Sequence, residues 1–149
     1  MDRARGFTLV ELLIVVAVIG IIAAIAIPNL IQTLDRARQK RSMADMRTLT
    51  NSVELYELDN SFYPKASNVL TLAQYLTPTY IKKIPQYDGW DHLFLYQTTT
   101  STGEDYTIAC LGKDNLKGTW VTGARTTDFK DDIVLTRGHF IQWPEGLQQ

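Results

Sequence analysis

Cysteine is almost missing from this chain of 149 residues: Cys110 stands alone, so no disulfide can close within it. Its apolar neighbours mark it as a small strand residue rather than a reactive thiol. Histidine is nearly as scarce. His92 and His139 lie on or beside separate predicted strands, and neither makes a Ser-His-Asp or Cys-His spacing. No zinc-binding helix motif occurs, and Gly112…Lys117-Gly118-Thr119 lacks the residue order of a phosphate loop. The paired acids Asp131 and Asp132 are expected to point to opposite faces of a strand, which separates rather than couples them. No enzyme is expected from these gaps. Excess charge of one sign is also absent: the net charge is −1, which gives no basic field for bulk nucleic-acid binding.

What the chain has in abundance is apolar sequence at one end. From Phe7 to Ile27 only Thr8, Glu11 and Gly20 interrupt it. That is about 21 residues, or roughly 31 Å of helix, enough to cross the hydrocarbon core of a bilayer. Glu11 is the anomaly, because a carboxylate inside such a run costs about 2.5–3.5 kcal/mol on insertion scales. Arg3 and Arg5 before the run favour a cytoplasmic N-terminus, whereas Arg36, Arg38, Lys40 and Arg41 beyond it argue weakly for the reverse. Three readings follow. Ala24-Ile25-Ala26 offers a cleavage triplet for a secretory signal, and the run equally suits a plain signal anchor. Both leave Glu11 without a role. A cut after Gly6 gives it one: the new amine at Phe7 lies four residues from Glu11, and the two charges can neutralise each other within or between chains.

Gly6-Phe7-Thr8-Leu9-Val10-Glu11, after a short basic leader and before an apolar run ending at Pro28, resembles the type IV pilins and type II secretion pseudopilins. The resemblance implies cleavage between Gly6 and Phe7 by a prepilin peptidase and methylation of the Phe7 amine. It also implies that Glu11 meets a neighbour's N-terminus in a helical filament of many copies. Minor pilins or pseudopilins, an inner-membrane platform protein and an ATPase are the further partners implied, with the membrane holding the subunit before assembly. Nucleic acid would enter only for a DNA-uptake pilus. The implied location is the bacterial inner membrane, single-pass, with the N-terminus cytoplasmic, the C-terminal domain periplasmic, and the filament in the periplasm or at the surface.

Pro28 removes one helical hydrogen bond and Gly20 weakens the same segment, so a kink or local melting is expected there. Beyond Pro28, Leu30, Leu34, Ala37, Met46, Leu49, Val53 and Tyr56 recur at spacings of three and four, an apolar stripe expected to pack on a sheet. Asp59-Asn60-Ser61 reads as the helix stop. Leu70–Leu76 suits a short helix, and Tyr80, Ile81 and Ile84 are expected to cover the core. Leu93–Thr98 with Tyr106–Leu111, and Asp132–Thr136 with His139–Trp143, read as two hairpins, the second turning at Arg137-Gly138. The expected fold class is α+β, a long N-terminal helix on a small antiparallel sheet. Its segments are a leader over 1–6, a membrane and filament-core helix over 7–27, an amphipathic half over 28–60, and loops with the sheet over 61–149.

Two stretches refine the resemblance. Ile84-Pro85…Asp88-Gly89-Trp90-Asp91-His92-Leu93 is similar to a segment of the major, G-type pseudopilins, although their tight-turn glycine and following proline are replaced. The loop Gly112–Lys130 is long and acidic, and the major pseudopilins carry calcium there. That implies Ca²⁺ held by Asp114, Asp128 and Asp131, the alternative being that these acids are simply solvated loop residues. With no C-terminal disulfide possible, the expectation is a major pseudopilin of a type II secretion system. The alternatives are a surface pilin for adhesion, twitching or DNA uptake, and a signal-anchored or secreted periplasmic enzyme or binding module. Trp120, Trp143, Tyr75, Tyr80 and Tyr87 could make an exposed aromatic patch, but ordinary core use accounts for them better.

Overall fold

A computed structural model describes residues 7–98 and 103–146. The chain divides into two compact units, one ending at Asp35 and one beginning at Arg36, and the first helix runs through both. That helix, α1, spans Leu9–Asn60 without interruption at Gly20 or Pro28. Thr33 Oγ1 donates to the Asn29 carbonyl (2.8 Å) just after the proline. The end of α1 comes where the sequence placed it: Ser61 turns left-handed (φ 63°) and its N–H reaches the Glu57 carbonyl at 2.7 Å.

The second unit is built on the last turns of α1. Met43, Met46, Leu49 and Val53 recur on one face and are buried. They share a core with α2 (Val69–Leu76), Ile84, Phe94 and the inner face of a sheet. Asn68 and Thr71 cap α2 reciprocally, Thr71 N–H to Asn68 Oδ1 at 2.9 Å and Asn68 N–H to Thr71 Oγ1 at 3.3 Å. Tyr80 and Ile81 pack partly buried against this core, and Ile84 is buried within it. The expected stripe therefore holds only in its second part. Leu30, Leu34 and Ala37 are exposed, because the core that receives the helix begins at Met43.

Five strands form one sheet in the order β1-β2-β4-β5-β3. They are β1 (Leu95–Thr98), β2 (Tyr106–Cys110), β3 (Ala124–Thr126), β4 (Ile133–Thr136) and β5 (His139–Pro144). Both expected hairpins are present: β1 pairs antiparallel with β2, and β4 with β5. Arg137 and Gly138 both have positive φ (47° and 79°), as a two-residue turn matched to strand twist requires. The sheet is mixed, not wholly antiparallel, because β3 lies parallel to β5 at the edge. β3 comes from inside the loop expected over Gly112–Lys130. It is three residues long, too short for an alternating pattern to announce it.

One segment fastens sheet and helix together. Asp88 is buried and its carboxylate accepts from the N–H of Trp90 (2.8 Å), the N–H of His92 (2.9 Å) and the Cys110 thiol (3.1 Å). Gly89 donates its N–H to Ser42 Oγ on α1 (2.9 Å). A Cβ at Gly89 would lie 2.5 Å from the Arg38 carbonyl oxygen, so only glycine allows this approach. Asp91 takes a left-handed turn (φ 64°), a conformation aspartate tolerates.

Candidate assembly surface

At the start of α1, Thr8 and Glu11 satisfy each other. Thr8 N–H and Oγ1 donate to Glu11 Oε2 (2.8 and 2.7 Å), and Glu11 N–H donates to Thr8 Oγ1 (3.2 Å). This is a capping box, and the spacing Thr-x-x-Glu is its signature in sequence. Glu11 thus has a local role besides its charge: its carboxylate takes the Thr8 N–H and Thr8 Oγ1 takes the Glu11 N–H, two backbone donors the helix end would otherwise leave unpaired. Phe7 precedes the box and is 72 % exposed. Gly6 lies outside the described residues, so the geometry of a Gly6–Phe7 cut is not visible.

The surface following the box is apolar all round. Leu9, Leu13, Ile19, Ile21 and Ile25 are 59–87 % exposed in the single chain. Each such side chain gives up about 1.5–3 kcal/mol by staying in water. A helix apolar on every side belongs in a membrane or in a large core, and no face of one chain suffices to cover it. Among the described residues it is the one helix long and apolar enough to cross a membrane. Beyond the adjoining helix backbone nothing lies within 4 Å of where a Cβ on Gly20 would sit, so that position leaves a small recess on the helix surface.

The calcium expectation meets a different arrangement. Asp114, Asp128 and Asp131 are exposed, and each serves the local backbone. Asp114 Oδ1 accepts from Leu116 N–H (3.1 Å), Asp128 Oδ1 from Lys130 N–H (3.1 Å), and Asp131 Oδ2 from Asp128 N–H (3.3 Å). Among the described residues no three Asp, Glu, His or Cys side chains gather to hold a metal ion. These three residues therefore do not fit calcium as a set. The buried carboxylate of the region is Asp132, whose Oδ2 accepts from Gly118 N–H (2.9 Å) and Trp120 Nε1–H (2.6 Å). Asp131 and Asp132 do face opposite ways, one exposed and one buried. Alternation into β4 signals that difference, but nothing in the sequence names Trp120 as the partner.

The scarce chemical residues are apart or engaged. His92 Nδ1 lies 3.0 Å from the Gly112 carbonyl, while His139 is exposed on β5. Cys110 is fully buried, and burial together with the Asp88 carboxylate pushes its thiol pKa well up. The five singled-out aromatics do not share one patch: Trp143 and Tyr80 pack against the core, Trp120 holds Asp132, and Tyr75 and Tyr87 are exposed. An open groove between α1, the end of α2 and residues 82–87 is lined by Arg41, Lys82, Lys83, Asp45 and Tyr87, without a nucleophile paired to a base.

Comparison with known proteins adds to this geometry. The profile of the type II secretion system (T2SS) protein G family matches residues 29–128, and the prokaryotic N-terminal methylation motif matches residues 1–27. A type II secretion system core protein G of Vibrio cholerae serotype O1 is 33 % identical over 135 residues, covering 83 % of this chain and 90 % of the relative. The core protein G of Escherichia coli K12 is 32 % identical over 129 residues, covering 79 % and 88 %. That of Pseudomonas aeruginosa is 30 % identical over 128 residues, covering 78 % and 88 %.

Proposed function

Because the chain belongs to the type II secretion system protein G family, we propose that it is a major pseudopilin, a structural subunit and not an enzyme, which assembles through α1 into a short filament that drives protein export. The observation carrying this reading is the contrast within one helix. The head has a closed core of its own, whereas Phe7–Leu34 exposes apolar side chains on every side.

The subunit waits in the inner membrane, its N-terminus cytoplasmic and its head periplasmic. A prepilin peptidase cuts between Gly6 and Phe7, and the Phe7 amine is methylated. The new amine then meets the Glu11 carboxylate of a neighbouring copy. In the single chain Glu11 Oε2 is held by Thr8 N–H and Oγ1. An ammonium adds the attraction of a full opposite charge to a carboxylate so far held only by neutral donors. Gly20 and Pro28 mark where the helix loosens during packing, Pro28 lacking its N–H and Gly20 its side chain. A platform protein and an ATPase extract the subunits, and minor pseudopilins join the same filament.

Intact mass of the mature protein tests the processing step: a chain beginning at methylated Phe7 is expected, and one beginning at Ile27 would indicate an ordinary secretory signal. A deletion strain tests the role. Exported enzymes should accumulate in its periplasm; intact export with loss of surface fibres would assign the chain to a surface pilus instead.

A further inference from the structure

We propose that the loop over residues 112–130 is fastened to the head by the chain's own hydrogen-bond donors acting on Asp132, and that it keeps its structure with calcium removed. The resemblance implies a calcium-held loop here, and the donor set of this chain disagrees with it.

Calcium takes six to eight oxygen ligands, with carboxylates supplying the charge. Here the buried carboxylate just beyond the loop, Asp132, has an oxygen already engaged by two N–H groups: the Trp120 indole at 2.6 Å and the Gly118 amide at 2.9 Å. Both bring partial positive charge to the lone pairs a cation would use. The Lys117 ammonium lies 4.3 Å from the Trp120 ring centroid, so the indole that holds Asp132 is itself fixed by a cation on its face. Asp132 thus draws its compensation from within the loop. A carboxylate taking charge-assisted bonds from an indole and an amide needs no metal to be tolerated when buried.

A second tie works in parallel. Buried Gln142 on β5 accepts from Val121 N–H through Oε1 (3.0 Å) and donates from Nε2 to the Asp132 carbonyl (2.9 Å). It links the loop, Asp132 and the sheet through one side chain. Immediately after Val121 the chain reaches β3, where Gly123 N–H donates to the Ile141 carbonyl (2.7 Å) and parallel pairing with β5 begins. The loop is therefore held at Gly118, Trp120, Val121 and β3 in succession. Among the described residues, Asp132 Oδ1 and Thr126 Oγ1 are the buried side-chain oxygens near this loop without a protein hydrogen-bond partner, so a cation entering the loop would register at Asp132.

The test uses the full-length chain in detergent micelles. Thermal unfolding is followed with EDTA and with about 5 mM calcium, a level that would nearly fill a site of Kd about 10⁻⁴ M. The expected midpoint is the same within about a degree in both, since only a ligand that binds the folded state raises it. A rise with calcium that Asp132→Asn abolishes would overturn the proposal. Trp120→Phe keeps the ring and removes the N–H. It is expected to lower the midpoint by roughly 4–8 °C and to speed trypsin cleavage after Lys117 about tenfold, equally with and without calcium. A Trp120→Phe chain as resistant as the parent, or one that calcium restores to parent behaviour, would also overturn it.

Discussion

The two halves of α1 use the same residue types to opposite ends. Between Leu9 and Leu34, leucine, isoleucine and valine are spaced on all sides of the helix, and Leu9 and Ile19 remain 87 % and 59 % exposed. Further along, Met43, Met46, Leu49 and Val53 fall on one face and are 0–7 % exposed, with Asp45, Arg47, Thr48 and other polar residues between them. The second half can be covered by one small sheet. The first cannot be covered by anything the chain itself offers. Polar spacing, not apolar content, decides which half completes a core alone and which needs a bilayer or further copies.

The largest break in this comparison is Glu11→Val. It should abolish filament assembly and export while leaving the head's unfolding midpoint unchanged; wild-type filaments, seen by microscopy, would remove Glu11 from assembly. Next is Leu49→Ala, a fully buried position in the same core cluster as Tyr106 and Leu135. It should cost the head about 2–5 kcal/mol in denaturant titration. Gly89→Ala forces a Cβ onto the Arg38 backbone and should cost about 1–3 kcal/mol, releasing the 88–92 segment from α1.

A smaller effect depends on pH. Burial, then the Asp88 carboxylate, raises the Cys110 thiol above its ordinary pKa. The folded state therefore holds a proton that the unfolded chain releases. This contribution is whole below the ordinary thiol pKa of about 8.5 and is lost progressively as pH rises above it. Buried Tyr96 and Tyr106 are raised by burial in the same sense and add their losses above about pH 10. Stability measured against pH should decline from the thiol's ordinary pKa upward, and Cys110→Ala should delay that decline until the tyrosines titrate. The smallest effect is Ile19→Ala, which should leave head stability within about 0.5 kcal/mol of the parent. Any larger change would mean that the exposed half supports the head.

Much of this was legible from spacing. Gly6-Phe7 with Glu11 belongs to the N-terminal methylation motif that matches residues 1–27, and Asn60-Ser61 marked the helix stop. Thr8-Leu9-Val10-Glu11 also carries the Thr-x-x-Glu spacing of its capping box, a signal independent of the charge on Glu11. Other features had no local signature. β3 is three residues whose parallel partner lies 18 positions away, Ala124 with Gln142, and no periodicity reports such a pairing. The calcium expectation counted acids. Burial separates them: Asp131 faces solvent, while Asp132 turns inward to an indole 12 residues back. The exposed ends of the stripe, Leu30 and Leu34, kept helical spacing, yet spacing cannot tell a covered face from one awaiting cover.

The sequestration of Cys110 extends to redox chemistry. Its residue has no exposed surface and its S–H donates to Asp88, so oxidants and foreign thiolates do not readily reach it. Copies of this chain can crowd together in an oxidising compartment without becoming covalently cross-linked. A fibre built of such subunits would be held by packing alone, with no bond between copies for a reductant to break.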